Sequence, residues 1–132
     1  LLDSSFLIAG LRRSPPAAIA LRLDELLSIG AAAINGVVAV EVLVGYKTRA
    51  TFDEVRTELG ALITFDVARW TWDLAAELGF VLRRAGLPMQ TTDLVIAASA
   101  IEHSAVLTHA DSDFDMMAQH CDLKVESYVS AV

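Results

Sequence analysis

Five acidic side chains stand where acids are costly. Asp3 follows two leucines, Glu41 interrupts the run Val38-Ala39-Val40-Glu41-Val42-Leu43-Val44, and Asp93 precedes Leu94-Val95-Ile96-Ala97-Ala98, while Asp111 and Asp113 come just after Ala105-Val106-Leu107. A carboxylate buried without a partner costs several kcal/mol or takes up a proton. Glu41 is the most informative, because its neighbours leave no polar face on which it could be solvated; pairing with Lys47 or Arg49 is the simpler alternative. Asp3 and Asp93 can each be read as an ordinary acid at a helix start, and Asp111, Asp113 and Asp115 as a solvated loop. Their weight comes from convergence. Carboxylates about 4 Å apart repel by ~4 kcal/mol per pair at an effective dielectric of 20, so several in one pocket require protonation or a cation. All-oxygen ligands with no Cys/His cluster select Mg²⁺ or Mn²⁺ over zinc. A hard cation on carboxylates, with positions open to water and phosphate, is suited to phosphodiester hydrolysis.

Short apolar strands alternating with helices must bring these acids together. Leu1-Leu2 ends a buried strand, and Asp3-Ser4-Ser5 turns into a short helix through Phe6, Leu7 and Ile8. Pro15-Pro16 opens a second helix that runs to Gly30, Ala31 to Ile34 is a strand, and Asn35-Gly36 turns into the helix of Glu41. Thr51 and Glu54 form a capping-box pattern for the next helix, which ends near Gly60 before Leu62-Ile63. Asp66 caps a long amphipathic helix with Trp70, Leu74, Leu78 and Val81-Leu82 on its core face, Arg83-Arg84 in its last turn and Gly86 as its stop. Thr92 caps the helix Asp93 to His103. Ala105-Val106-Leu107 is a strand, Asp113 to Cys121 a helix, and Leu123-Lys124-Val125 a last strand. The expected fold is α/β, a three-layer α/β/α sandwich with a short, mostly parallel central sheet. Its strand C-termini share the edge where such folds bind ligands.

The chain of 132 residues is read as a single domain, and 55% hydrophobic with 20% charged residues excludes disorder. So much apolar content in so small a domain implies a subunit interface. A formal charge of −7 opposes non-specific nucleic-acid affinity, so a polyanion must be held locally, by a bound cation or a basic patch. One cysteine, Cys121, excludes an internal disulfide and fits a reducing cytoplasm. Leu1 with no basic-then-apolar leader after it reads as a first strand trimmed at its N-terminus. The longest apolar stretch, Ala31 to Gly45, is broken by Asn35 and Glu41 and falls short of the ~20 residues that span a bilayer, so no membrane segment is expected.

Leu1-Leu2-Asp3-Ser4-Ser5-Phe6-Leu7-Ile8, Glu41 within Val38 to Tyr46, Thr92-Asp93-Leu94-Val95-Ile96-Ala97-Ala98, and Leu107-Thr108-His109-Ala110-Asp111-Ser112-Asp113-Phe114 follow one another across the whole chain. Together they resemble a PIN domain, specifically the VapC ribonuclease toxins of prokaryotic toxin-antitoxin systems. The resemblance implies a Mg²⁺- or Mn²⁺-dependent endoribonuclease, with Asp3, Glu41, Asp93 and an acid of the last loop holding metal and positioning the attacking water. Asp111 and Asp113 both fit that last place, Asp111 being closer to the strand end. Ser5 and Thr108 match supporting positions, and Phe114 is expected to anchor the loop in the core. The family also implies a homodimer, a VapB-type antitoxin partner, and cleavage that leaves 5′-phosphate and 3′-hydroxyl ends.

Arg12, Arg13, Lys47 and Arg49 are the candidates for an RNA path, against ordinary surface charge. Arg83 and Arg84 are explained by their helix end, His109 reads as a solvated loop histidine, Trp70 as core, and Trp72 as interface. A receiver-type phospho-acceptor would need a lysine after a late strand, and a haloacid-dehalogenase-type enzyme would need an Asp where Ser5 stands. The remaining alternative is a non-catalytic PIN-like module that uses its acids only to bind metal or a partner.

Overall fold

The computed structural model describes residues 1–132. Its strands are three residues long and mark only the middle of a narrow sheet. β1 (Ala33–Asn35) pairs in parallel with β2 (Ile63–Phe65), and β3 (Leu107–His109) pairs in parallel with β4 (Val125–Ser127). The N-terminal residues join the two pairs. Leu2 forms a parallel bridge with Thr108, Leu2 N–H donates to Ala33 O (2.8 Å), and Asp3 N–H donates to Thr108 O (2.9 Å). The spatial order is therefore β2, β1, Leu1–Asp3, β3, β4. β1 and β3 are buried throughout and β2 and β4 are more open, as expected for a sheet covered by helices on both faces.

The helices are α1 (Ser4–Gly10), α2 (Ala17–Ser28), α3 (Gly36–Leu43), α4 (Arg49–Gly60), α5 (Arg69–Arg84), α6 (Thr91–Glu102) and α7 (Ser112–Ala118). α6 is buried from Val95 to Ala100, so its all-round apolar sequence reflects a place inside the fold rather than on its surface. α5 packs along it, closely at Gly79, where a Cβ would lie 2.8 Å from Leu94 Cδ1 and make that side chain shift. Gly86 ends α5 at φ 82°, a left-handed conformation that releases the chain toward α6. No helix is long and apolar enough to cross a membrane.

Several boundaries differ from the sequence reading. The strands expected at Ala31 to Ile34, Ala105 to Leu107 and Leu123 to Val125 each lie about two residues later. Ala31 and Val106 are exposed, whereas Asn35, Thr108 and His109 are buried within the sheet. Polar residues take these strand positions because the sheet satisfies their backbones: Thr108 N–H donates to Leu1 O (2.9 Å) and Tyr128 N–H to His109 O (2.7 Å). α4 is capped by Thr48, whose Oγ1 accepts from Thr51 N–H (3.3 Å), not by Thr51 itself. α6 starts one residue before Thr92, after Gln90, with no side-chain cap.

α5 starts after Ala68, not at Asp66, and its buried stripe is Thr71, Ala75, Leu78 and Leu82. Trp70 is therefore not core; it is 68% exposed. Thr71 sets this helical phase. Its Oγ1 donates to Glu102 Oε2 (2.7 Å) and accepts from Ala68 N–H (3.2 Å), which draws a polar side chain inward and turns the preceding tryptophan out. Trp72, Phe80, Val40 and Val44 are also exposed, leaving the apolar surface that composition demanded.

Candidate functional site

Asp3 leaves the sheet directly into α1 and is 2% exposed. Its Oδ2 accepts from Ser5 N–H (2.9 Å) and from the Ser5 hydroxyl, while Oδ1 is buried with no partner. Ser5 Oγ also accepts from Ala110 N–H (3.0 Å), which ties the start of α1 to the loop after β3. Ser5 is thus a physical link between two acid-bearing segments. Thr108, also buried, acts through its backbone, which brackets Asp3 from the β3 side.

β1 ends in Asn35, whose Oδ1 caps α3 by accepting from Val38 N–H (3.0 Å). Glu41, in the second turn of this helix, accepts from Ser4 Oγ at Oε1 (3.1 Å). It pairs with neither Lys47 nor Arg49. Asp93 is the third residue of α6, and Asp111 caps α7 by accepting from Asp113 N–H at Oδ1 (3.0 Å). One carboxylate oxygen from each of Asp93, Asp111 and Asp113 lies within 4.8 Å of the others. Both candidates for the last acid therefore meet Asp93. A cavity of about 370 Å³ beside Leu74, Leu78 and Ile101 is lined by none of these acids.

The electrostatics register the crowding. Burial pushes the Asp93 carboxyl up to about 7, helped by the charges of Asp3, Asp111, Glu41 and Asp113. Asp3 is also raised, by burial first and by Asp111, against the opposing hydrogen bonds from Ser5. Burial raises Glu41, Ser4 opposes it, and the charge of Asp3 adds to the rise. All five acids act on the same small volume, and no lysine or arginine pairs with any of them. Such a set has room for a divalent cation. Asp3 Oδ1 is the strongest indication of fit, being a buried carboxylate oxygen that no protein donor satisfies.

The basic candidates stand apart. Arg12 and Arg13 are exposed beyond the end of α1, and Arg12 borders a groove with Ile8, Val42 and Tyr46. Lys47 is exposed past α3. Arg49 is engaged locally, bonded to Asp53 (3.1 Å) and lying 5.0 Å from the centre of the Phe52 ring.

His109 differs most from expectation. Instead of a solvated loop residue it is 0% exposed, with Nδ1 accepting from Asp111 N–H (3.2 Å) and Nε2 3.2 Å from Asp115 Oδ1. Its ring tilts against Phe114, which is buried as the expected loop anchor. Ser4 is a second residue that sequence reasoning did not single out for its contact. The usable signals were a histidine continuing the apolar run of Leu107, and a serine next to an acid.

Known proteins share this fold. A sequence model of the PIN domain matches residues 1–119. Ribonuclease VapC11 of Mycobacterium tuberculosis is 32% identical over 134 residues, covering 97% of this chain and 98% of that protein. VapC ribonuclease Mb1587 of Mycobacterium bovis matches to the same extent, 32% with 97% and 98% coverage. Among solved structures, VapBC2 from Rickettsia felis bound to a promoter DNA fragment superposes with a TM-score of 0.80 at 21% identity, over 96% of each chain. DNA-bound VapBC from Salmonella typhimurium gives a TM-score of 0.78 at 20% identity, over 96% and 95%. Matched along nearly its whole length by family and relatives alike, the chain belongs to the PIN domain family, among its VapC-type members.

Proposed function

We propose that this chain is a Mg²⁺- or Mn²⁺-dependent endoribonuclease toxin, one nuclease unit over residues 1–132, neutralised by a VapB-type antitoxin in the cytoplasm. The observation that carries this reading is the meeting of Asp93, Asp111 and Asp113 around one point, with the unpartnered Asp3 Oδ1 and Glu41 beside them. Relatives that carry ribonuclease names and neighbours solved as VapBC complexes support the activity and the partner.

Asp3, Glu41, Asp93, Asp111 and Asp113 would hold the ion, which when bound supplies positive charge and Lewis acidity at a phosphodiester. The chain's own part is to hold these carboxylates in place. Ser5 and Ser4 fix Asp3 and Glu41, and the α7 cap fixes Asp111. The acids orient a water for in-line attack; as its oxygen bonds to phosphorus it releases a proton to solvent, the bond from phosphorus to the ribose 3′ oxygen breaks, and solvent protonates that oxygen. The products carry 5′-phosphate and 3′-hydroxyl ends. Arg12, Arg13 and Lys47 supply unpaired positive charge for the flanking RNA, and Arg49 a weaker contribution because Asp53 holds it. The exposed apolar side chains Val40, Val44, Trp70 and Phe80 support burial against a second copy in a homodimer.

The test is cleavage of structured RNAs with Mn²⁺ or Mg²⁺ by the wild type, Asp93→Asn and Glu41→Gln, with folding verified by circular dichroism. Metal-dependent cleavage lost in both variants is the expected result. Cleavage that survives both substitutions, or never appears with either ion, overturns the reading and leaves a binding module.

A further inference from the structure

His109 touches none of the carboxylate oxygens that converge on the site, yet it touches the backbone that presents two of those acids. We infer that His109 is a positioning residue, whose Nδ1 holds the Asp111 N–H and so sets the turn that delivers Asp111 and Asp113 to Asp93. The inference rests on the reading that these acids hold a divalent ion.

The segment Ala110–Asp111 must leave β3 and enter α7 within two residues, and both of its backbone N–H groups are bound by side chains. Ala110 N–H donates to Ser5 Oγ (3.0 Å), and Asp111 N–H donates to His109 Nδ1 (3.2 Å). One anchor leads to Asp3, and the other is the histidine. A ring that accepts at Nδ1 carries its hydrogen on Nε2. That nitrogen faces Asp115 Oδ1 at 3.2 Å, off the line of a full hydrogen bond, and Asp115 Oδ2 accepts from Ser127 Oγ (2.8 Å) at the end of β4. Phe114 packs against the ring, with centroids 5.3 Å apart, and His109 O accepts from Tyr128 N–H. The ring is therefore packed by Phe114 and faces Asp115, and its main chain is held by Tyr128, before it meets Asp111.

A filler of the core would need only the ring's shape. Here the ring offers an acceptor to one specific N–H, and Asp111 then caps α7 through Asp113 N–H. Loss of the acceptor frees the turn on which both acids depend. Outer residues that orient metal ligands typically change metal affinity by about 10–100-fold when removed.

The experiment measures Mn²⁺ affinity calorimetrically without RNA, together with thermal unfolding, for the wild type, His109→Asn, His109→Gln and His109→Phe. The Asn oxygen can occupy the place of Nδ1, whereas Gln reaches only toward that of Nε2. Expected is a Kd within about twofold of wild type for His109→Asn and raised about tenfold for His109→Gln and His109→Phe. Equal losses in the Asn and Gln variants, or falls in melting temperature with unchanged Mn²⁺ affinity, overturn the positioning role. If the Gln and Phe variants do not fold, the wild type decides by NMR with Mg²⁺: the His109 Nδ1 and Asp111 amide nitrogen signals should move along one titration curve, and an unresponsive Nδ1 overturns the role. Absence of any Mn²⁺ binding by the wild type overturns the metal-site reading itself, a result separate from any difference among variants.

Discussion

Ser4 Oγ lies 3.1 Å from Glu41 Oε1, so consecutive serines at the start of α1 each restrain a different acid: Ser4 holds Glu41 and Ser5 holds Asp3. Removing the Ser4 hydroxyl deprives the half-buried Glu41 of its one protein donor. A hydrogen bond to a charged group is worth ~1.5–3 kcal/mol when well buried and less at this exposure. Ser4→Ala should weaken Mn²⁺ binding about fivefold, and Ser4→Thr should restore it. Calorimetry checks this, and in a Glu41→Gln background Ser4→Ala should have no further effect.

Stability should fall as pH rises. Asp93 titrates near 3.8 when unconstrained and at about 7 in the fold, so between those values the folded chain binds the extra proton, and each step upward in pH favours unfolding. The loss is complete above about 7. Asp3 and Glu41, both raised, act in the same direction. Thermal unfolding in a chelator should give a higher melting temperature at pH 5 than at pH 8, and Mn²⁺ should remove or reverse the order. Asp93→Asn should flatten this dependence and raise the metal-free melting temperature at pH 8 by about 4 °C.

Phe114→Ala removes a fully buried ring that packs on His109 beside the acid loop. A loss of about 3–4 kcal/mol is expected in denaturant unfolding. Phe114→Leu should recover most of it.

Arg12 and Arg13 have no acidic partner in the fold. If they meet RNA phosphates, the double alanine variant should bind RNA several-fold more weakly, with a salt dependence shallower by ~1 for each phosphate no longer neutralised. RNA affinity should fall more than the cleavage rate at saturating RNA, because both arginines lie past the end of α1 whereas Asp3 lies at its start.

The acids were legible because Glu41 and Asp3 are local anomalies and the others follow strands and helix starts that converge on the same sheet edge. A carboxylate in a run of valines, or directly after two leucines, conflicts with its neighbours, and only a shared site resolves the conflict. The parallel sheet was legible from the alternation of short apolar runs with capped helices. Residues decided by distant partners were not. Trp70 and Thr71 compete for the same helical phase, and a glutamate 31 residues from Thr71 settles it. His109 is buried because Asp115, Ser127 and Phe114 close around it, and its place just after the apolar run ending at Leu107 was the one local hint of that. β1 and β3 shifted for a similar reason, since backbone partners contributed by Leu1–Asp3 outweigh side-chain hydrophobicity.

The place of Leu1–Asp3 between β1 and β3 bears on the timing of synthesis. Asp3 leaves the ribosome long before the residues that receive it, because Thr108 and Ala110 are translated more than a hundred residues later. Contacts of such long sequence separation form late in folding. The carboxylate cluster is therefore assembled only once β3 and the turn behind it have emerged.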